Sequence, residues 1–192
     1  MSLRLEMLQV ARVAPKALED ASDLVRDFLL SQQHPDGGFC DRDGESDLYY
    51  TVFGLNALAA FQVEPDMNAV EKFLLKFEEG EGLDLVHLSC LCRCWGTLGQ
   101  KRMPKGLRKL LLNRLEAFRK PCGGWDNNPE REHGTAYGSF LALGAYQDLG
   151  KLPPKPFRIL QSLKHLETPD HAWNNHPNLP VGSTNPTAGA VV

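Results

Sequence analysis

The sequence predicts an all-α protein built from repeated pairs of helices. Apolar runs of helical length alternate with short polar segments, and no segment shows a convincing strand pattern. A Gly-Gly-aromatic turn occurs at 37–39 and again at 123–125, and a related turn at 170–173 keeps the aromatic residue but replaces both glycines. The repeat is about 37 to 49 residues long, which is the range of paired-helix repeats.

Four helix pairs are predicted in one domain of residues 15–192, after an N-terminal arm of residues 1–14. Because most connections are short, we expect the two helices of each pair, an outer and an inner one, to be antiparallel. In chain order, with the outer helix named first, the first pair is Ala17–Gln32 with Asp47–Phe61 and the second is Asn68–Glu78 with Asp84–Leu98. The third pair is Pro104–Arg119 with Glu132–Leu149, and the fourth is Pro156–Leu166 with an inner helix that begins near Thr184.

Local signals mark the ends of these helices. Pro35 and the following glycine pair end the first outer helix, and Asp47 is a good N-cap for the first inner helix. Pro104 and Pro156 are placed near first turns, where proline is tolerated. The apolar run at 187–192 has no stop signal, so we expect the chain to be truncated in its last repeat.

Composition restricts the classes of function. Apolar residues make up 42% and charged residues 23% of the 192-residue chain, which is typical of globular proteins. A net charge of −3 gives no support to a nucleic-acid-binding surface, and no apolar run reaches the roughly 18 residues of a membrane span. An odd number of cysteines, three of them at 90, 92 and 94, favours a reducing cytoplasm over a secreted disulfide scaffold.

These repeats resemble a known family. The pattern Gln33-x3-Gly37-x-Phe39, then Asp47-x-x-Tyr50-Thr51, is similar to the prenyltransferase and squalene-oxidase repeat of protein prenyltransferase β subunits and triterpene cyclases. Segments 122–143 and, more weakly, 173–185 are similar to it as well. The resemblance implies a partial α/α toroid, the terpenoid-cyclase fold, in which inner helices line a central cavity. A complete toroid of this family has more helix pairs than the four predicted here, which leaves three alternatives: an open arc, a fragment, or self-association with a second copy that completes the toroid.

The resemblance also implies a site at the N-terminal ends of the inner helices. There, protein prenyltransferases hold zinc with an Asp-x-Cys pair and a His, and the zinc activates a thiolate that attacks a prenyl diphosphate. The Cys/His position falls on Tyr50, His87 and Thr135, and the Asp position falls on Leu48, Leu85 and His133. Because only the two histidines are ligand types, the zinc ligand set is incomplete, no zinc cofactor is favoured, and no catalytic residue is assigned.

Two arginines resemble the family's anion-binding residues. Arg42 lies three residues after Phe39, and Arg131 lies in the corresponding turn of the third pair at a looser spacing. The alternative is that both are solvated loop residues, since acidic neighbours flank them.

One face of the second inner helix carries His87, Cys90 and Cys94. These side chains are too far apart along the helix axis to bind one ion, so we expect the cysteines to be buried packing residues.

Two functions follow from these observations. The first is a prenyltransferase-like transferase whose cavity binds an isoprenoid or prenyl diphosphate, with Tyr50, His87 and His133 at its mouth. The second is a non-catalytic α/α-repeat binding or assembly module that lacks the zinc site. The Asp-x-Asp-Asp motif with which triterpene cyclases protonate their substrate is absent from this sequence, which disfavours a cyclase.

Overall fold

A computed structural model describes residues 3–191 of the chain, and helices dominate this range. The helices are α1 (Leu3–Ala11), α2 (Ala14–Leu18), α3 (Ala21–Ser31), α4 (Leu48–Ala60), α5 (Met67–Leu75), α6 (Leu85–Leu98), α7 (Leu107–Ala117), α8 (Ala136–Asp148), α9 (Pro156–His165) and α10 (Thr184–Val191). Two short strands, β1 (Phe39–Cys40) and β2 (Ser46–Asp47), pair antiparallel before α4. The prediction of an all-α protein is confirmed. Among residues 3–191, no helix is both long and apolar enough to cross a membrane.

The inner helices α4, α6, α8 and α10 pack side by side in chain order. Contacts between neighbouring repeats place their starts at one end of the molecule. The Leu85 N–H at the start of α6 donates to Asn127 Oδ1, 2.9 Å away, in the segment that leads into α8. The Tyr137 N–H at the start of α8 donates to Asn175 Oδ1, 3.3 Å away, in the segment that leads into α10. The third and fourth repeats therefore each cap the inner helix of the repeat before them.

The core lies where α6 meets its neighbours. Leu88, Leu91 and Trp95 of α6 are completely buried, as are Leu74 of α5 and Leu111 of α7. Complete burial of one leucine side chain stabilises the fold by about 1.5–3 kcal/mol relative to leaving that side chain in water. The expected burial of the cysteines at 90, 92 and 94 is confirmed. Burial also raises the pKa of the Cys90 thiol to about 12, so this thiol stays protonated at neutral pH.

Most predicted helix ends lie within a few residues of the observed ones, but two predicted starts are wrong. The third inner helix begins at Ala136 rather than Glu132, because the Thr135 hydroxyl caps it by accepting the Gly138 N–H at 2.9 Å. The third outer helix begins at Leu107 rather than Pro104, after the left-handed residue Gly106. The first predicted outer helix is divided into α2 and α3 at Glu19, whose φ is +46°.

The turn that precedes each of three inner helices has the same hydrogen bonds. In the first, third and fourth pairs, a backbone bond closes the turn from His34 N–H to Gly38, from Lys120 N–H to Gly124 and from Thr168 N–H to Ala172. In each turn, the aromatic residue's N–H also donates to a hydroxyl on the inner helix: Phe39 to Thr51, Trp125 to Ser139 and Trp173 to Thr187. These equivalent bonds show that the three segments are structural repeats.

The first glycine of the turn meets the backbone of the next outer helix. Gly37, with φ +100°, lies against the backbone of Ala69 in α5, and Gly123, with φ +108°, lies against the backbone of Arg158 in α9. In the fourth pair, His171 holds the equivalent position with φ +60°, and its side chain is 90% exposed. The first turn position is therefore glycine in the two turns on which the next outer helix packs, and it is not glycine in the fourth turn, where the His171 side chain is exposed.

The predicted N-terminal arm contains α1, which packs against both α4 and α8. The inner helices therefore have a partner on a face that the outer helices do not cover. The division of the chain into this arm and one repeat domain stays a prediction.

We predict that Gly37→Ala destabilises the fold strongly, while Gly44→Ala costs little. Both glycines have a positive φ, but an added Cβ at Gly37 would overlap the carbonyl of Ala69, whereas Gly44 faces open space. Urea unfolding should show a loss of about 2–5 kcal/mol for the first change and about 1 kcal/mol for the second. Equal losses would show that the packing of α5 on the turn is unimportant.

Candidate functional site

A cavity of about 490 Å³ lies among α1 and the inner helices. This volume is within the range of about 300–1,000 Å³ that is usual for small-molecule sites. Most of its wall is apolar, and the apolar side chains are those of Met7, Leu8, Ala11, Phe53, Ala57, Ala60, Phe140 and Leu143. The inner helices form most of this wall, and α1 closes one side of it.

An ion pair forms one polar part of the cavity wall. Arg93 of α6 donates from Nε to Asp148 Oδ2 of α8 at 3.1 Å. The Asp148 side chain is 1% exposed, whereas that of Arg93 is 29% exposed. A Cβ added to Gly144 would lie 3.3 Å from Arg93 Nη2, so the guanidinium group lies over this glycine. This ion pair makes the α6–α8 part of the wall polar.

Gln147 of α8 is a further polar residue of the wall, and so is Asn56 of α4. Asn56 Oδ1 is buried and has no hydrogen-bond partner in the described chain. A buried acceptor without a partner costs about 1–3 kcal/mol. The wall therefore contains an amide group whose oxygen the chain leaves without a hydrogen bond.

The predicted residues Tyr50 and His87 lie at the starts of neighbouring inner helices. His87 is the third residue of α6, and both its N–H and its Nδ1 contact Asp84 Oδ1, at 2.8 and 2.7 Å. Its Nε2 lies 3.7 Å from Asp47 Oδ2, at the start of α4. Burial opposes ionisation of Asp84, but the hydrogen bonds from His87 outweigh it and lower the pKa of this carboxyl group. Tyr50 is the third residue of α4 and is 36% exposed.

The alignment of Thr135 with Tyr50 and His87 is wrong by three residues. Thr135 is the N-cap of α8, as Asp47 and Asp84 are the N-caps of α4 and α6. The third residue of α8 is Gly138, so Gly138 is the structural equivalent of Tyr50 and His87. By the same register, the Asp-ligand position of this repeat falls on Ala136, not on His133. Thr135 is 6% exposed, and its hydroxyl serves the cap.

His133 and His87 have different neighbours. The His133 ring lies in the loop before α8, with its centroid 5.5 Å from that of His165 at the end of α9. His87 instead contacts the carboxylates at the starts of α4 and α6. Within residues 3–191, no group of three or more His, Cys, Asp or Glu side chains could hold a metal ion.

The two predicted anion-binding arginines do not line the 490 Å³ cavity. Arg42 is exposed in the turn between β1 and β2. Arg131 Nη1 lies 3.3 Å from the buried carboxylate of Asp126. Arg131 lines a second cavity of about 310 Å³ between the starts of α6 and α8, together with Thr135 and Tyr137. An anion-binding role for either arginine stays a prediction.

Sequence reasoning missed Asn56, Arg93 and Asp148. A signal for the first two was present, because each is an isolated strongly polar residue in an apolar helix. Asn56 stands among Leu55, Ala57 and Leu58, and Arg93 stands between two buried cysteines. Polar residues at such positions need a partner, and the position of that partner depends on the fold.

We predict that Asp84→Ala lowers the free energy of unfolding by about 1 kcal/mol at neutral pH, because α6 loses its N-cap. The lowered pKa means that this stabilisation is present above the unfolded-state pKa of 3.8 and is lost as the pH falls through the folded-state pKa. Urea unfolding over a range of pH should therefore show the difference from the unchanged chain shrinking below about pH 4. Asp66→Ala, which removes the cap of α5, is the matched control. A difference that stays constant down to the lowest pH would contradict this account.

No protein-family model matches this chain, and no curated protein matches it either.

Proposed function

We propose that the chain is a prenyltransferase-like α/α repeat protein, a partial toroid, whose inner-helix cavity binds the apolar chain of an isoprenoid. The observation that carries this proposal is the 490 Å³ cavity with its mainly apolar wall. Its position among consecutive inner helices is where the resemblance to the toroid family implies a ligand. Burial of an apolar chain there is favourable by roughly 25 cal/mol for each Å² removed from water.

The proposed function is binding of the isoprenoid, without zinc-dependent transfer of a prenyl group. Zinc-dependent transfer needs a metal ligand set, and the described residues contain no such group. Cys90 lies in the second turn of α6, and burial raises its pKa, which disfavours the thiolate form. Tyr50 and His87 are not among the residues that line the 490 Å³ cavity, so they are not proposed as ligand contacts or as catalytic groups.

A second candidate, an assembly module, is favoured by exposed apolar residues on the first and last outer helices. Leu24 and Phe28 of α3 are 74% and 58% exposed, and Phe157 and Leu160 of α9 are 68% and 64% exposed. Each pair lies on one face of its helix because the spacing is three or four residues. Contact between α3 of one copy and α9 of the next would bury both faces in a head-to-tail assembly.

We predict that Ala57→Phe lowers the affinity for farnesol at least tenfold, because the added ring fills part of the cavity. Ala59→Phe is the matched control, since Ala59 is a half-buried alanine of the same helix that does not line the cavity. Isothermal titration calorimetry on the whole chain measures both variants. Absence of farnesol binding by the unchanged chain would overturn the proposed function.

For the assembly module, light scattering should give a mass above the 21.4 kDa of one chain. Phe157→Glu should reduce that mass to a single chain, because a charge on the apolar face of α9 opposes its burial. Leu152→Glu, at an 88% exposed position outside α9, should leave the mass unchanged. A mass of one chain for the unchanged protein would rule this candidate out.

A further inference from the structure

We infer that the cavity selects a neutral amphiphile, an apolar chain that carries one hydroxyl group, over a diphosphate ester. This inference rests on the proposed function, because it concerns the head group of a ligand in the same cavity. Four of the described side chains that line the cavity are strongly polar, those of Asn56, Arg93, Gln147 and Asp148, and the inference is carried by Asn56, Arg93 and Asp148.

The charges of the wall disfavour a diphosphate. Among the described residues that line the cavity, the cationic side chain is Arg93, and it is already paired with Asp148 at 3.1 Å. Because the Asp148 carboxylate is almost fully buried, a diphosphate beside Arg93 would face a negative charge that water does not screen. Transfer of an uncompensated charge into an apolar wall is costly. A neutral head group avoids this repulsion.

The hydrogen-bonding groups of the wall fit a hydroxyl. Asn56 lines the cavity, and its amide oxygen is buried without a partner in the chain, so a rotation of the amide that turns this oxygen to the cavity lets it accept a hydrogen bond. Arg93 uses Nε for Asp148, and its Nη groups carry further N–H donors. A hydroxyl group donates one hydrogen bond and accepts others, so it can pair with both kinds of group. It fits either orientation of the Asn56 amide, since it can also accept from an amide nitrogen.

The arrangement of the helices places these groups in the wall of one cavity. Asn56 is on α4 and Arg93 is on α6, and these two helices pack against each other. Phe53 and Ala57 flank Asn56 on α4 and face the same cavity, as Leu143 does from α8. The wall therefore combines an apolar surface for a chain with a polar region for its head.

The test compares three probes that share one carbon skeleton: farnesol, the hydrocarbon farnesene and farnesyl diphosphate. Each is measured on the whole chain by competition against a fluorescent apolar dye. One hydrogen bond to a buried group corresponds to about a tenfold change in affinity. We therefore expect farnesol to bind about tenfold more tightly than farnesene, and the diphosphate to bind most weakly.

The variant Asn56→Leu should remove the preference for the alcohol and leave farnesene binding unchanged or stronger. Asn113→Leu, at an exposed position on α7 outside the cavity, should leave all three affinities unchanged. Thermal unfolding checks that Asn56→Leu is folded, and the comparison of probes on the unchanged chain tests the inference without any variant.

The outcomes separate the inference from the proposed function. Equal binding of farnesol and farnesene, or tighter binding of the diphosphate, would leave the cavity as an isoprenoid site and overturn the inference alone. A preference for farnesol that survives Asn56→Leu would show that Asn56 does not provide it, and would also overturn the inference. Binding of none of the probes would overturn the proposed function and the inference with it.

Discussion

Close backbone contact between each Gly-bearing turn and the next outer helix determines how the repeats stack. Gly37 meets the backbone of Ala69, and Gly123 meets that of Arg158. Neither site has room for a side chain, so the distance from one repeat to the next is fixed by main-chain atoms rather than by adaptable side chains. The inner helices consequently follow one another with their starts at the same end. The cavity exists because these apolar helices, held at that spacing, face α1 instead of another layer of outer helices.

The helices could be predicted from the sequence because their signals are local. Asp47 and Asp84 cap the helices that follow them, as their residue type predicts. The start of α8 could not be predicted in this way. The loop at 126–134 is ordered by hydrogen bonds such as Asp126 to the Asn128 N–H and Cys122 to the Gly134 N–H. Its length depends on these contacts, and the error of a few residues moved the candidate ligand position from Gly138 to Thr135.

The candidate site was predicted less well than the fold, because the starts of the inner helices are already occupied by the chain itself. The positive ends of helices attract anions through unpaired N–H groups. Here the carboxylates of Asp47 and Asp84 accept these groups at α4 and α6, and Thr135 accepts one at α8. Asn127 takes a further N–H of α6 from the next repeat. A diphosphate at the start of α4 or α6 would meet the carboxylate of Asp47 or Asp84, which repels it. The helix dipoles at these two positions therefore interact with the chain's own carboxylates and stabilise the fold.

The polar groups of the cavity could not be paired from the sequence, since Arg93 and Asp148 lie on different helices and Asn56 has no partner in the chain. An unpaired buried amide weakens a fold by about 1–3 kcal/mol, whereas an apolar residue at the same place would not. A ligand hydroxyl that pairs with this amide removes the penalty as it binds. The free energy that the unpaired Asn56 amide costs the fold is therefore also the upper limit of the selectivity that Asn56 can give to the site.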